Sequence, residues 1–432
     1  MVIDVVPVGG PGRDGTTGPR AYPGRVTDTA ARRPEDPPGE SPDGSAAGVP
    51  ARMWAFYVGG FLGPFGGAMT TPMLPELSAG LDTSLRTATW SITAYLIPFA
   101  ALMLVSGTLA ETWGRSRSVR GAYVAYAVAS LVCALAPNAE MFLTGRALQG
   151  AANAFTSPLL VAAISDAVPR ERLGRSLGWY ASMQAAGQAF APLVGGVAAA
   201  YDYRWAFVAS AAAAGALAFV PPRDAPRETA DGAPGVWARY RALANSKLAL
   251  ACAVAFGLYL STTGLMLLVA LLGDDRFGLG PDARGGVVAA FGVAGLATGR
   301  VLGRVADRVG ARRFGVAAMV VFAAVTAAAG VVPAVWLLVG MVAAAGAAST
   351  AARVVVNTLA VTSTPANRGG ATSMTLAWQF LGSAIAPLVL LPVYHRSMTV
   401  SLAVAATGAL TSAALLTVVS TLPRAYAARR DA

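Results

Sequence analysis

Arg146 lies inside an otherwise apolar run, Leu143-Thr-Gly-Arg146-Ala-Leu-Gln149-Gly150, and Arg353 lies inside another, with Asn357 one helical turn on. A guanidinium is always charged and carries a fork of donors, so each can hold carbonyl groups or an anion. At its depth Arg353 either snorkels to the cytosol or meets an anionic substrate. Amides stand in other apolar runs: Asn153, Gln184, Gln188 and Gln379. Unbonded amides are costly there, so they grip neighbouring helices or a bound molecule. Tyr95, Trp179 and Trp378 are candidate aromatic walls beside them. Carboxylates are missing from the centre of these runs, with Glu76 and Asp166 at segment ends. The sequence has no paired nucleophile and base, no metal-ligand spacing and no phosphate-cradling loop, which argues against an enzyme, a cofactor or a metal. His395 falls between segments, and Cys133 and Cys252 read as small packing residues. The chemistry on offer is recognition rather than bond-making.

A second set of residues occurs twice. Gly107-Thr-Leu-Ala-Glu111-Thr-Trp-Gly114-Arg115-Ser-Arg117 recurs as Gly303-Arg-Val-Ala-Asp307-Arg308-Val-Gly310-Ala-Arg312-Arg313. Gln184-Ala-Ala-Gly187-Gln-Ala-Phe-Ala191-Pro192-Leu-Val returns as Gln379-Phe-Leu-Gly382-Ser-Ala-Ile-Ala386-Pro387-Leu-Val. A chain that repeats once, in order, is built as two like halves. In each loop copy an acid faces arginines, a cluster able to lock one conformation. The glycines are expected to allow close helix approach and a tight turn.

The elements that must position these residues are membrane helices. Hydrophobic residues make up 55% and charged residues 13% of the 432, and mean hydropathy is +0.55. A soluble domain carries about a quarter charged residues. Apolar segments fall at about 53–75, 88–110, 119–136, 141–165, 174–199, 204–220, 248–272, 285–306, 314–331, 334–361, 371–392 and 399–420. Each approaches the ~20 residues of a membrane helix. The expected fold is an all-α membrane protein of twelve transmembrane helices in two six-helix pseudo-symmetric halves. Arginine favours one side, in the loops holding Arg115, Arg117, Arg120, Arg170, Arg172, Arg175, Arg308, Arg312, Arg313 and Arg368 and in the middle linker. The positive-inside rule makes that side cytosolic, with both termini there and the chain multi-pass in the cell membrane. The net charge of +11 is therefore a topology signal, and no nucleic-acid partner is implied. The expected organisation is a disordered cytosolic tail over 1–51, a first half over 52–221, a linker over 222–246, a second half over 247–421 and a tail over 422–432. Alternatively, translation starts at Met53.

Twelve helices with this loop motif after the second resemble the major facilitator superfamily, over about residues 52–421. The family loop carries Asp and Arg where this chain has Glu111 and Thr112, whereas Asp307 and Arg308 keep the pattern. Arg146, Gln149 and Gly150 resemble the family's Arg-x-x-Gln-Gly motif, whose arginine is linked to proton coupling. Gly187, Pro192, Gly195 and Gly196 resemble its antiporter motif, with Ala191 replacing a glycine; Gly59 to Gly67 spell it more fully, but in the first helix. Tyr203-Arg204-Trp205-Ala206-Phe207 resembles a further exporter signature. The resemblance implies a functional monomer in the lipid bilayer that exports small amphipathic molecules by proton antiport and alternating access. A metabolite importer and a non-transporting sensor on the same scaffold are the competing readings.

Overall fold

The computed structural model describes residues 51–222, 245–364 and 368–418. The expected tails and linker lie outside the described residues except at their edges. Every regular element among the described residues is helical. The first half comprises α1 (Ala51–Ala68), α2 (Leu74–Gly80), α3 (Leu85–Trp113), α4 (Arg115–Leu135), α5 (Ala139–Asn153), α6 (Ser157–Ala167), α7 (Arg170–Tyr201) and α8 (Arg204–Ala218). The second comprises α9 (Ser246–Asp275), α10 (Pro281–Val309), α11 (Ala311–Ala328), α12 (Val335–Ser363), α13 (Arg368–Tyr394) and α14 (Met398–Val418). Nine spans among the described residues are long and apolar enough to cross a membrane, α5 and α6 counting as one. Helices α1, α7 and α8 occupy the three remaining expected segments.

Two expected single helices are broken, and proline is the reason. The first segment ends at Ala68, passes through a 3-10 turn over Thr71–Met73 and resumes as α2, with Pro72 and Pro75 at the restarts. The fourth divides at Asn153, and Pro158 opens α6. Proline has no N–H to give the preceding turn, so the helix stops and starts again. Polar caps fix other starts: Asn138 Oδ1 accepts from Met141 N at 2.9 Å, and Asn245 Oδ1 from Leu248 N at 2.8 Å.

The repeat in the sequence is a repeat in the packing. Helix α1 lies along α7 as α9 lies along α13; α3 meets α5 as α10 meets α12; α4 meets α8 as α11 meets α14. Backbone approaches match too. A Cβ on Gly187 would stand 2.2 Å from the Phe61 carbonyl oxygen, and one on Gly382 would stand 2.3 Å from that of Phe256. A Cβ on Gly150 would meet the Tyr95 oxygen, and one on Gly346 the Phe291 oxygen, each at 1.9 Å. The halves join along two seams, α7 on α10 and α3 on α13. Large apolar side chains such as Leu135, Trp336 and Phe219 face outward, as a lipid-facing surface requires.

Candidate functional site

Gly114 and Gly310 mark one end of the helix bundle, here the motif end; the turns after α2, α4, α7, α9, α11 and α13 mark the far end. Both glycines hold positive φ, 90° and 94°, where a side chain is strained, so the motif turns need them. Gly107 and Gly303 differ from expectation. A Cβ on either would meet nothing within 4 Å among the described atoms, so neither makes a close helix approach here. Arg115 pairs with Asp166 at the end of α6. Arg312 instead donates to the carbonyls of Leu416 and Thr417, the latter at 2.8 Å, closing the C-terminal end of α14. Arg117, Arg308 and Arg313 are exposed, and the side chains of Glu111 and Asp307 lie outside the described residues.

Arg146 is fully buried in the first half. Its Nε donates to the Ser91 carbonyl at 3.3 Å, and its Nη1 to the Gly66 carbonyl at 3.1 Å and to Gln149 Oε1 at 2.7 Å. Gln149 Nε2 passes the chain to Ser130 Oγ at 2.7 Å. The guanidinium also lies 4.4 Å from the centre of the Tyr95 ring, a cation–π contact. Tyr95 donates to the Gly63 carbonyl at 3.0 Å and accepts from Asn153 Nδ2 at 2.8 Å. Asn153 Oδ1 accepts in turn from Thr156 Oγ1, so Asn153 is committed to its own half. The glycines of α1 make room for this layer: a Cβ on Gly66 would stand 1.9 Å from the Tyr126 hydroxyl, and one on Gly63 would stand 3.0 Å from Asn153 Oδ1. That explains the antiporter-like spelling in the first helix as packing.

Between the halves lies a cavity of about 250 Å³, lined from α7 by Ser182 and Gln188 and from the second half by Tyr259, Thr262, Phe291, Ser349, Thr350 and Arg353 among others. Arg353 Nη1 donates to Gln188 Oε1 across the seam at 3.4 Å. The side chain thus reaches from the second half to the first and lies part-buried in the cavity wall. Of the six amide and arginine candidates, the structure brings Gln188 and Arg353 together. Gln184 approaches Tyr180 at 3.5 Å, Gln379 is buried on α13, and Asn357 is exposed. Trp179 and Trp378 are about half exposed and line neither arginine. A larger groove of about 960 Å³ runs between α3, α4 and α5, lined by Trp113, Val128, Leu148 and Phe155. Its lining comes from the first half alone.

Toward the far end the seams close. A Cβ on Gly196 would stand 2.2 Å from the Pro281 carbonyl oxygen, and one on Gly285 would stand 2.4 Å from that of Pro192. Gly195 faces its own half, where a Cβ would stand 2.1 Å from the Met69 carbonyl oxygen. On the other seam Thr93 Oγ1 donates to the Ala384 carbonyl at 2.7 Å, and the Phe99 and Phe380 rings meet edge-on at 4.5 Å. An ion cluster bridges the same end: buried Arg284 of α10 pairs with Glu76 of α2 and, at 2.7 Å, with Asp274. Sequence reasoning missed this clasp, because nothing in the spacing of Glu76 and Arg284 pairs them.

Two like helical halves, sealed together at one end around a polar cavity on their seam, define a membrane carrier. The chain belongs to the major facilitator superfamily, whose family model matches residues 56–387 and 252–431. Membership makes it a transporter rather than an enzyme. It is 33% identical over 174 residues to a protein of Streptomyces coelicolor described as a probable actinorhodin transporter, covering 39% of this chain and 30% of that one. It is 32% identical over 189 residues to the puromycin resistance protein pur8 of Streptomyces alboniger, covering 42% of this chain and 37% of that one. The chain thus spans about a third of the length of these curated relatives. Its fold is similar to the crystal structure of a bacterial homologue of the human lysosomal transporter Spinster, in an inward-facing and occupied conformation. That match has a TM-score of 0.69 at 14% identity and covers 85% of this chain and 96% of the other.

Proposed function

We propose that the chain exports small amphipathic organic molecules across the cell membrane by proton antiport, its halves rocking about the seam cavity. The observation that carries this reading is the Arg353–Gln188 contact, a polar contact across the halves inside an otherwise lipid-soluble molecule. Export draws support from the small residues of α7 on the seam and from relatives named for actinorhodin transport and puromycin resistance. The arginine bias makes the motif end cytosolic, with 1–51, the 222–246 linker and 422–432 on that side and the halves over 52–221 and 247–421. The far-end seal then corresponds to the state closed to the outside.

Everted membrane vesicles loaded with the full chain test this, using anionic, neutral and cationic amphipathic dyes. Dye should accumulate inside when the lumen is acidified by respiration, and a protonophore should abolish the accumulation. Gradient-driven accumulation in right-side-out vesicles alone would make the protein an importer. No gradient-driven movement of any dye in either orientation would leave the sensor reading.

A further inference from the structure

We infer that the seam cavity selects substrates carrying an anionic group, a carboxylate or phenolate on an aromatic frame, through Arg353. The inference rests on the transport reading above and names the substrate class of that same site. Arg353 is the one charged residue in the cavity lining, and no carboxylate pairs with it among the described residues. Its neighbours in the lining are hydroxyls, an amide and apolar groups: Gln188, Thr262, Ser349, Thr350 and the rings of Tyr259 and Phe291.

Arg353 is also under-used. A guanidinium has five N–H donors, and among the described residues this one makes a single contact of 3.4 Å to Gln188, well beyond the ~2.9 Å of a good N–H···O bond. Arg146 shows what a committed guanidinium looks like in the same molecule, with three acceptors and an aromatic face. Part-buried and without a carboxylate partner among the described residues, this cation offers a carboxylate or phenolate entering the cavity short charge-assisted bonds in a fork. A cationic substrate would meet the same charge at close range. At about 250 Å³ the cavity fits the polar end of an amphipathic molecule, below the ~300–1,000 Å³ of sites that enclose a whole drug-sized ligand. Tyr259 and Phe291 give that end flat surfaces to lie against.

Fluorescein and rhodamine 123 share a xanthene frame and differ in the sign of their charge, so they isolate this point. Binding is read by fluorescence polarisation with the full chain in nanodiscs and empty nanodiscs as the blank. Fluorescein should bind at least about tenfold more tightly than rhodamine 123. Arg353→Gln should weaken fluorescein about tenfold, the loss of one charge-assisted bond. Arg353→Lys should restore part of the affinity, and Arg353→Glu should reverse the preference. Rhodamine 123 binding as tightly as fluorescein, fluorescein affinity untouched in Arg353→Gln, or no binding of either dye overturns the inference. Fluorescein that binds through Arg353 but is not driven into everted vesicles would instead sink the export reading and leave the anion site standing. Rhodamine 123 pumped as well as fluorescein, in wild type and in Arg353→Gln, would keep export and remove the charge selection.

Discussion

The two halves share their backbone contacts and differ in what fills the space between them. In the register that pairs Gly107 with Gly303, Val342 stands where Arg146 does, Ala345 where Gln149 does, and Phe291 where Tyr95 does. The approaches of Gly187 and Gly150 recur at Gly382 and Gly346, so the repeat preserves that helix packing. The first half is therefore pinned by a polar network around a buried cation, and the second by an apolar core that includes Val342 and Ala345. Charge on the second half's side of the seam cavity comes from Arg353, outside any such network. One arginine is fixed by a network within its own half, and the other makes one long contact across the seam among the described residues.

The sharpest way to break that distinction is to truncate each arginine. Arg146→Ala removes three hydrogen bonds and leaves a void in a buried layer. A large-to-small change of this kind costs about 2–5 kcal/mol, seen as a lower Tm and a smaller monodisperse yield. Arg353→Ala, with one long bond to lose, should leave Tm nearly unchanged. Equal Tm losses in the two variants would show that Arg353 is structural as well.

The seams offer a second contrast, between a glycine that faces its own half and one that faces the other. Gly195 packs on Met69 within the first half, whereas Gly196 packs on Pro281 across the seam. Either glycine replaced by leucine overpacks a backbone contact, at a cost of about 1–3 kcal/mol. In Gly195→Leu that cost falls on folding and should lower Tm. In Gly196→Leu it falls on the sealed conformer alone, shifting a two-state balance about tenfold or more toward the opposite state. A cysteine placed near Pro281 should then label faster with a membrane-impermeant reagent while Tm holds. Unchanged labelling would remove the α7–α10 seam from the gate.

How much of this was legible follows from what sequence carries. The helical segments, the two halves and the repeated glycines could be read, because hydropathy and repetition are local or periodic signals. Arg146, Gln149 and Asn153 could be singled out as polar residues in apolar runs, yet their partners could not. Gly66, Ser91 and Tyr95 come from other helices, and two of Arg146's acceptors are backbone carbonyls with no side-chain signature. An amide in an apolar run shows its segment but not the face of the helix it occupies, so the seam-facing Gln188 and Gln184 beside Tyr180 read alike in sequence. Glu76 and Arg284 escaped for the opposite reason. Each looks like an end-of-helix topology charge until the two halves are brought together.

The smallest expected effects lie in the loop motif, where two glycines seven residues apart in each copy have opposite reasons to be there. Gly310 holds φ at 94°, a region that costs an L-residue on the order of 1–3 kcal/mol, so Gly310→Ala should lower Tm. Gly303 is helical with open space around its α-carbon, and alanine is the better helix former by about 0.5–1 kcal/mol. Gly303→Ala should therefore raise Tm slightly. Transport separates two meanings of that glycine. If Gly303→Ala transports normally, the glycine serves nothing beyond the repeat. If the variant is more stable yet transports poorly, the close helix approach expected from the sequence belongs to the opposite conformer, in which α10 must come nearer a neighbour than it does here. A fall in Tm would contradict the open space seen around Gly303 and overturn the contrast with Gly310.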